Sequence, residues 1–271
     1  MENKSGRKEV LIIIPAYNEA KTIEPVLEAL KKPEIYSLCD VLVMNDASKD
    51  GTQYLVRKHG LNCVTHVFNL GYGSGLQVGY KYAYRRGYKY VIQMDSDGQH
   101  DPSNVLKLYE TLTTPDASGE YPDIVIGSRF VKGAVSFPVP VSKKIAFVLF
   151  RAIIKWGGKQ KVMDPTSGLQ GLSRRTFWYY ARYQHFDDKY PDANMLMQML
   201  MLGYKVMEIP AIMYARTEGK SMHSGIIKPC IYMIRMVFSL LAVWARVKLF
   251  KIDNGVINEQ KTIQKMQEDI I

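Results

Sequence analysis

Short apolar runs alternate with segments of helical pattern through the first half of the chain. The runs are VLIII (10–14), VLVM (41–44), CVTHVF (63–68), YVIQM (90–94) and DIVIG (123–127). The helical segments between them end near Lys32, Lys58, Arg86 and Leu112. Apolar strands separated by helices are typical of a parallel sheet that is buried on both faces and connected by right-handed crossovers. The pattern therefore predicts an α/β fold.

The regular alternation of strands and helices weakens beyond Arg129. The predicted elements are an amphipathic helix in SKKIAFVLFRAIIKWGGK (142–159), a loop leading into a short strand in DPTSGLQGLSRR (164–175), a Met-rich helix in PDANMLMQMLMLG (191–203) and a strand in YKVMEIP (204–210). Lys144, Arg151 and Lys155 fall on one face of the first of these helices. The methionines favour core packing over a cofactor site, and the final twenty residues predict a loosely held polar helix or tail.

Each predicted strand of the first half ends in polar residues or glycine. These exits are Pro15-Ala16-Tyr17-Asn18, Asn45-Asp46, Asn69-Leu70-Gly71, Asp95-Ser96-Asp97 and Gly127-Ser128-Arg129. The carboxyl ends of the strands of an open α/β sheet lie along one edge, which is where ligands bind. We therefore expect the five exits to line one crevice.

Two carboxylates one residue apart, Asp95 and Asp97, follow the apolar run YVIQM. Both can point from a strand end towards one hard cation, and Mg²⁺ and Mn²⁺ bind one or two carboxylates together with the oxygens of a substrate diphosphate. A solvated turn is the alternative, and it would be favoured for an isolated pair. The position at the end of a central strand favours a metal site.

Two other strand exits fit a nucleotide ligand. Asp46 can accept hydrogen bonds from a base or a ribose, and the turn NLGYGSG (69–75) lets a backbone approach a ligand at the start of a helix, where phosphate is favoured. This turn lacks the spacing of a dinucleotide-binding fingerprint and the Lys-Ser/Thr of a Walker loop, which argues against those two classes.

Composition narrows the choice of partners. The 271 residues carry a formal net charge of +10, which predicts attraction to phosphorylated ligands, anionic bilayers or nucleic acid. The three cysteines, Cys39, Cys63 and Cys230, form no CxxC pair, which argues for reduced thiols and against a zinc site. The N-terminus shows no apolar signal-peptide core. Charges interrupt the apolar segment 226–250, whereas a spanning helix needs roughly 20 apolar residues, so we expect no membrane span.

Seven motifs together resemble one known family. They are IIIPAYNEAKTI, VLVMNDASKDGT, FNLGYGSGLQVGYKYA, IQMDSDGQHDP, IVIGSRF, DPTSGLQGLSRR and RTEGKSMHS, which occur in the family's order over about residues 9–225. They resemble the family 2 glycosyltransferases, whose GT-A fold is a Rossmann-like, mostly parallel sheet flanked by helices. Within the family the chain is most similar to the polyprenyl-phosphate glycosyltransferases, in a branch of short chains without transmembrane domains of their own.

The resemblance implies a nucleotide-sugar site with a divalent metal. The implied donor-binding residues are Pro15, Tyr17, Asn18, Glu19, Asp46, Asn69, Gly71, Gly75 and Asp95. Asp95 and Asp97 would hold Mg²⁺ or Mn²⁺. The implied acceptor and phosphate ligands are Arg129, Arg216, Lys220 and Ser221. The residues implied at the reaction itself are Asp97, Gln99, Arg129 and Asp192, and the donor would be a UDP-sugar in preference to a GDP-sugar.

One motif departs from the family pattern. Where relatives read YPEPE, this chain has Asn194 in place of the second glutamate, and Asp192 is the surviving carboxylate. A hydroxyl acceptor needs a base, whereas a lipid phosphate is already anionic and needs cations. The loss is therefore compatible with a polyprenyl phosphate acceptor, such as undecaprenyl phosphate, and with the inverting outcome usual in the family.

A lipid acceptor requires contact with a membrane. On a helical wheel of residues 226–250, the polar residues Lys228, Arg235, Ser239 and Arg246 lie within a narrow stripe and the remainder is apolar. This pattern suits an in-plane anchor whose cations meet lipid headgroups, a helix bound to a small membrane protein, or a helix packed on its own core. We expect a glycosyltransferase domain at 1–225 and an associating helix with a polar tail at 226–271.

The sequence therefore predicts a metal-dependent transfer of a sugar to polyprenyl phosphate by a peripheral protein at the cytoplasmic face of the membrane. A related transferase with a saccharide or protein hydroxyl as acceptor is the nearest alternative. A membrane-associated protein that binds nucleotide sugar without turnover is a second one, motivated by Asn194. A homo-oligomer is compatible with the sequence, whereas no nucleic-acid-binding module surrounds the basic residues.

Overall fold

The strands and helices follow the predicted alternation. The computed structural model describes residues 8–139, 141–216, 227–253 and 255–260, and the side chains of all of these except 141–143 and 227–230. The strands are β1 (Val10–Ala16), β2 (Cys39–Asn45), β3 (Asn62–Thr65), β4 (Tyr90–Gln93), β5 (Ile124–Ser128), β6 (Gln170–Ser173) and β7 (Val206–Pro210). The helices are α1 (Ile23–Leu30), α2 (Pro33–Tyr36), α3 (Thr52–Lys58), α4 (Tyr72–Arg86), α5 (Asn104–Thr113), α6 (Val141–Gly158), α7 (Arg174–Ala181), α8 (Ala193–Met201) and α9 (Ile227–Lys248).

Within the part of the chain that the structure describes, the sheet has seven strands in the order β3-β2-β1-β4-β6-β5-β7. All neighbouring pairs are parallel except β4–β6 and β5–β6. The predicted, mostly parallel α/β sheet is thus confirmed. Because β6 is antiparallel, its first residue, Gln170, pairs with the last residue of β4, Gln93. The loop that precedes β6 therefore lies at the edge formed by the carboxyl ends of the parallel strands.

Side chains of the central strand β1 alternate between two helical layers. Val10, Ile12 and Ile14 belong to a core cluster with apolar residues of α1, α3 and α5. The intervening Ile13 meets α4, where a Cβ on Gly79 would lie 2.8 Å from its Cγ2 atom. Both faces of the strand are therefore buried, which explains why the run VLIII contains no polar position.

Strand β3 is shorter than the apolar run that predicted it. It pairs only with β2, and the register ends at Asn45 opposite Thr65. Val67 and Phe68, which the run included, lie beyond this point and are exposed. An edge strand without a second neighbour gains little from further pairing, which accounts for the early end.

The chain packs as two compact units. The first comprises Met1–Pro138, Ser167–Pro191 and Val206–Lys220 and contains the sheet, and the second comprises Val139–Thr166, Asp192–Lys205 and Ser221–Ile271. In the second unit α6, α8 and α9 pack on one another. Met195, Met197 and Met199 of α8 are buried, which confirms that the methionines are core residues. The domain boundary expected at residue 225 stays a prediction.

Candidate active site

The strand order reverses direction between β1 and β4. The chain proceeds from β1 to β2 and β3 on one side, and α4 then carries it back to β4 on the other side of β1. Ligands of open α/β sheets bind at such a switch point, outside the carboxyl ends of the strands. Glu19 follows β1, and Asp95 and Asp97 follow β4, so the predicted metal ligands lie at this position.

Asp97 is buried and already has a cationic partner. One oxygen of its carboxylate accepts a hydrogen bond from the backbone N–H of Gln99 at 3.0 Å. The other oxygen forms an ion pair with the Arg216 guanidinium. The structure thus brings together a predicted metal ligand and a predicted phosphate ligand.

Asp95 is held by polar groups from three directions. Its Oδ1 atom accepts a hydrogen bond from the Tyr72 hydroxyl at 3.0 Å. Its backbone N–H donates to Nδ1 of His100 at 3.1 Å, which puts the ring hydrogen on Nε2, 3.8 Å from Asp95 Oδ2. On a third side, a Cβ on Gly168 would lie 2.8 Å from Oδ2, so only glycine leaves room for the carboxylate.

Negative charge accumulates at the switch point. Burial raises the pKa of the Asp95 carboxyl, and the charge of Asp97 raises it further, against the opposing effects of His100, Tyr72 and Arg216. Burial likewise raises the pKa of Glu19. The hydrogen bond from Thr22 and the charge of Arg216 lower this pKa, whereas the charges of Asp97 and Asp95 raise it. Three carboxylates thus repel one another around one guanidinium. Carboxylate oxygens are the ligands that Mg²⁺ and Mn²⁺ prefer, so the chemistry of these residues fits a divalent cation, and the metal role of Asp95 and Asp97 stays a prediction.

The loops after β1 and β2 interlock. Asn18 adopts a positive φ of 56°, its backbone N–H donates to Ser48 Oγ at 2.9 Å, and its side-chain oxygen accepts from the Lys49 N–H at 2.8 Å. The N–H of Glu19 donates to Thr52 Oγ1 at 2.9 Å. Asn18 therefore shapes this region by fixing the loop. Of its predicted neighbours, Pro15 is buried within β1 and Tyr17 is exposed.

Asp46 anchors the glycine turn. Its carboxylate accepts hydrogen bonds from the backbone N–H groups of Leu70 at 2.8 Å and Gly71 at 2.9 Å, and it contacts His66 Nδ1 at 2.9 Å. The side-chain amide of Asn69 lies 3.5 Å from the Asp46 carbonyl oxygen. These bonds hold Asp46, Asn69 and Gly71 together. Their predicted contact with a nucleotide stays a prediction.

The glycines at the start of α4 approach another segment of the backbone. A Cβ on Gly73 would overlap the Asp187 carbonyl, and the Ser74 N–H donates to the Asp188 carbonyl at 3.1 Å. Gly71 has a φ of 95°, which few other residues adopt. These glycines therefore fit the helix N-terminus against residues 187–188, while Gly75 lies at ordinary contact distance from Met44.

Residues 212–216 form an arm along the loop after β4. Asn104 donates to the Ile212 carbonyl at 2.8 Å and accepts from the Ile212 N–H at 2.9 Å. The Tyr214 N–H donates to the Gln99 carbonyl at 2.8 Å, and the Gln99 side chain donates back to the Tyr214 carbonyl at 3.2 Å. This pairing positions Arg216 beside Asp97. The predicted ligands Lys220 and Ser221 lie outside the described residues.

A model of glycosyl transferase family 2 matches residues 11–180. The chain belongs to this family. The resemblance seen in the motifs is thereby confirmed, and the protein is a glycosyltransferase.

Two relatives act on polyprenyl phosphates, according to their names. The transferase is 30% identical to undecaprenyl-phosphate mannosyltransferase of Micrococcus luteus, over 80% of this chain and 88% of that protein. It is 29% identical to UDP-N-acetylglucosamine–dolichyl-phosphate N-acetylglucosaminyltransferase of Methanococcus voltae, over 62% of this chain and 70% of that protein.

A solved structure shares the fold. The crystal structure of glucosyl-3-phosphoglycerate synthase from Mycobacterium tuberculosis, in complex with Mn²⁺ and UDP-glucose, matches with a TM-score of 0.65 at 20% identity. The match covers 88% of this chain and 79% of that one. It confirms the predicted GT-A architecture. Among the described residues of the transferase, no helix combines the length and apolar character that crossing a bilayer requires.

Arg129 and Asp192, two predicted site residues of the transferase, make local contacts that only partly involve the site. Arg129 follows β5, is half-buried, and its guanidinium lies 5.4 Å from the Phe130 ring centroid. Asp192 belongs to the second unit, where it accepts a hydrogen bond from the Tyr232 hydroxyl at 2.7 Å. The roles expected for Arg129 and Asp192 in the reaction stay predictions.

Asn194, the departure from the family pattern, has a structural role in the second unit. It is buried, and its side-chain oxygen accepts hydrogen bonds from the N–H groups of Asp192 at 3.1 Å and Met195 at 2.9 Å. Its amide nitrogen donates to Ser239 Oγ of α9 at 2.8 Å. Asn194 thus fixes the start of α8 and ties it to α9.

Two of the four residues in the polar stripe of α9, Ser239 and Arg246, have partners within the second unit. Ser239 binds Asn194, and Arg246 forms a 2.8 Å ion pair with Asp253, which is buried. The expectation that this stripe meets lipid headgroups is therefore wrong for Ser239 and Arg246, because an ion pair and a hydrogen bond within the unit already engage them. Arg235 is exposed, and the side chain of Lys228 is outside the described residues.

The exposed side chains of α6 and α9 include many large apolar residues beside the cations Lys144, Lys155 and Arg235. On α9 the exposed side chains recur at helical spacing, and α6 contributes a similar set. The large exposed apolar residues of the two helices are Ile145, Val148, Leu149, Trp156, Ile231, Ile234, Phe238 and Leu241. We refer to these eight residues as the apolar face. A patch of this kind on a soluble surface indicates a binding site for a membrane or a protein.

Several residues of the site were not found by reading the motifs, among them Tyr72, Gln93, Asn104 and Gly168. Gln93 gave a usable signal, since it is a polar residue within a buried strand and such residues need hydrogen-bond partners. Its amide donates to the Gly168 carbonyl at 3.0 Å and to the Tyr72 hydroxyl at 3.1 Å. The other three are recognisable only when the fold brings their partners together.

Proposed function

We propose that this glycosyltransferase moves a sugar from a UDP-sugar to polyprenyl phosphate, with inversion, using Mg²⁺ or Mn²⁺. The observation that carries the proposal is the pairing of Asp97 with Arg216 at the switch point of the sheet. One partner is a ligand for a cation and the other a ligand for a phosphate. A nucleoside diphosphate with its bound metal requires both kinds of ligand. When this complex binds, Asp97 would exchange Arg216 for the metal and Arg216 would exchange Asp97 for phosphate, so each side chain keeps a partner of opposite charge.

The donor half of the proposal assigns roles to the carboxylates. Asp95 and Asp97 would hold the divalent ion, and their mutual repulsion supports its binding. A bound ion of this kind supplies Lewis-acid stabilisation of the charge that develops on a departing diphosphate. Arg216, once released from Asp97, would bind phosphate oxygens, and Gln99 and Glu19 would border the same ligand.

The proposal of polyprenyl phosphate as the acceptor rests on the names of the relatives and on the fact that such an acceptor needs no general base. A phosphate monoester is anionic at neutral pH, so the reaction requires cations at the acceptor and no general base. Arg129 and Arg216 can bind such an anion bidentately. The Asn194 side chain, committed to Asp192 and Met195, is consistent with a site that does without a second glutamate.

The membrane half is supported by the apolar face. Helices that lie in the plane of a bilayer bury one apolar side and keep cations nearby for anionic headgroups. Lys144, Arg235 and Lys248 are exposed on α6 and α9. We therefore place the enzyme at the cytoplasmic membrane surface as a peripheral protein, bound to lipid directly. A small membrane protein that covers the same face, or a second copy of the chain, is an alternative outcome for the tests.

A turnover assay tests the proposed reaction. Purified protein is supplied with undecaprenyl phosphate, Mg²⁺ or Mn²⁺ and a panel of radiolabelled UDP- and GDP-sugars, and lipid-extractable label is measured. We expect a labelled lipid with a UDP-sugar. Turnover should fall by about 10³-fold in Asp97→Asn, because several kcal/mol of charge stabilisation are removed. Asp116→Asn should show normal turnover. Labelled product only with a saccharide or protein acceptor would reject the lipid phosphate. Nucleotide binding without any product, with membranes supplied, would favour a non-catalytic binding protein.

A further inference from the structure

The Tyr72 hydroxyl lies between a buried amide and a predicted metal ligand. Tyr72 is the first residue of α4, and its hydroxyl is 3.0 Å from Asp95 Oδ1 and 3.1 Å from Gln93 Nε2. Neither the motif comparison nor the spacing of polar residues assigns it a role. Its position makes it the direct neighbour of the Asp95 carboxylate.

The direction of the hydrogen bonds in this network is fixed. The Gly168 carbonyl can only accept, so the Gln93 amide must present its nitrogen there, at 3.0 Å. The Gln93 oxygen in turn accepts from the Tyr80 hydroxyl at 2.5 Å, in a fully buried position. With Gln93 Nε2 as the donor to Tyr72, the Tyr72 oxygen accepts, and its own hydrogen points at Asp95.

The backbone under Tyr72 is also fixed. Gly71 precedes it in a conformation with positive φ, and the two N–H groups at 70–71 are bound by the Asp46 carboxylate. Gly73 follows it in close contact with the Asp187 carbonyl. The hydroxyl is therefore placed from both sides by bonds that do not involve a ligand.

We propose that Tyr72 is a positioning residue that holds the Asp95 carboxylate in the orientation in which it binds the metal of the donor complex. The inference rests on the proposed function, since it requires that Asp95 binds a divalent ion. Tyr72, Gly168 and His100 surround the carboxylate on three sides, so the hydroxyl removes its remaining rotational freedom. The hydrogen-bond partners of a metal-binding side chain orient that side chain and affect metal affinity strongly.

Binding of Mn²⁺ without turnover tests the inference. Free Mn²⁺ is measured by its electron paramagnetic resonance signal in titrations with UDP present and no acceptor. The variant is Tyr72→Phe, which removes only the hydroxyl. The matched control is Tyr88→Phe, because the Tyr88 hydroxyl also donates to an aspartate, Asp40, at 2.8 Å, at the opposite end of the sheet. Thermal unfolding of both variants shows what the lost hydrogen bond does to stability.

We expect Tyr72→Phe to bind Mn²⁺ about 10-fold more weakly and Tyr88→Phe to bind it like the wild type. In turnover assays, excess Mn²⁺ should restore the donor KM of Tyr72→Phe with little change in kcat. A purely stabilising role would lower the unfolding temperature of both variants alike and leave Mn²⁺ affinity unchanged. Equal Mn²⁺ affinity in wild type and Tyr72→Phe would overturn the inference alone. A wild type that binds no Mn²⁺ in the presence of UDP would overturn both the inference and the proposed function.

Discussion

The two units of the chain place charge in opposite ways. In the first unit, apolar strands fill the interior and charged side chains such as Asp97 and Arg216 meet at the edge where the strands end. In the second unit, the buried Asp253 pairs with Arg246, while Phe238 and its apolar neighbours face outward. The first arrangement suits a hydrophilic substrate in water, whereas the second suits an apolar environment. A transferase that moves a sugar from a nucleoside diphosphate to a lipid phosphate and releases the diphosphate, as proposed here, needs both.

Within this comparison of the two units, the largest expected effect tests how closely residues pack around Asp95 at the strand ends of the first unit. Gly168→Ala introduces a Cβ about 2.8 Å from the Asp95 carboxylate, which must then move. A displacement of this size near the reacting groups lowers turnover by about 100-fold. Gly51→Ala is the matched control, because its Cβ would meet only Ala20 at 3.8 Å. Equal turnover in the two variants would show that the edge tolerates such displacements.

The apolar face of the second unit is tested by Phe238→Asp. Phe238 is 67% exposed, and removing its burial in a bilayer costs about 2 kcal/mol, which corresponds to about 30-fold weaker partitioning into anionic vesicles. Tyr54→Asp, at an aromatic residue of the first unit that is 70% exposed, should partition like the wild type. Flotation with liposomes measures both variants. If Phe238→Asp floats normally but no longer binds a membrane-protein partner, the face serves that partner and not lipid.

The inward charges of the second unit predict a stability effect. Asp253→Asn leaves Arg246 partly buried without its ion pair and should lower the free energy of unfolding by about 2 kcal/mol. Glu9→Gln breaks the exposed pair with Lys89 and should change it by less than about 0.5 kcal/mol. Denaturant titration followed by tryptophan fluorescence reports on both units, since Trp156 and Trp244 stack in the second with ring centroids 5.5 Å apart and Trp178 is buried in the first. An unchanged midpoint in Asp253→Asn would mean that solvent replaces the pair.

The smallest expected effect concerns the ion pair within the charged edge. Arg216→Ala removes a cation that competes for Asp97, so Mn²⁺ affinity without nucleotide should rise by about fivefold, in line with a pair worth about 1 kcal/mol. Arg57→Ala, at the end of α3, is the control for the loss of one positive charge. Calorimetric titration measures both. A decrease in Mn²⁺ affinity in Arg216→Ala would show that the guanidinium does not compete with the ion.

Much of the first unit could be predicted from the chain alone. The apolar runs predicted the order of strands and helices because burial on both faces leaves an unmistakable pattern. The antiparallel direction of β6 left no such pattern, and with it the place of Gly168 beside Asp95 stayed hidden. The bonds of Gln93 to Tyr72 and Gly168 join residues far apart in sequence, which periodicity does not report.

The second unit shows a different limit. A helical wheel indicates which residues of α9 share a side, and the stripe through Ser239 and Arg246 was identified in this way. It does not indicate which side is packed, because that depends on partners outside the helix, here Asn194 and Asp253. For Ser239 and Arg246 the pattern therefore matches the alternative of a helix packed on its own core, whereas Arg235 of the same stripe is exposed.

If Asp97 binds the metal and Arg216 the diphosphate, as proposed, the pair that they form makes the binding of the two ligands interdependent. A metal ion that takes Asp97 frees the guanidinium, and a diphosphate that takes Arg216 frees the carboxylate, so each ligand removes an obstacle to the other. Thermodynamic linkage requires this coupling to be reciprocal: the factor by which the ion tightens nucleotide binding equals the factor by which the nucleotide tightens ion binding. Under the proposed function, the resting site would thereby discriminate against a bare ion or a bare nucleotide and would favour the complex of the two.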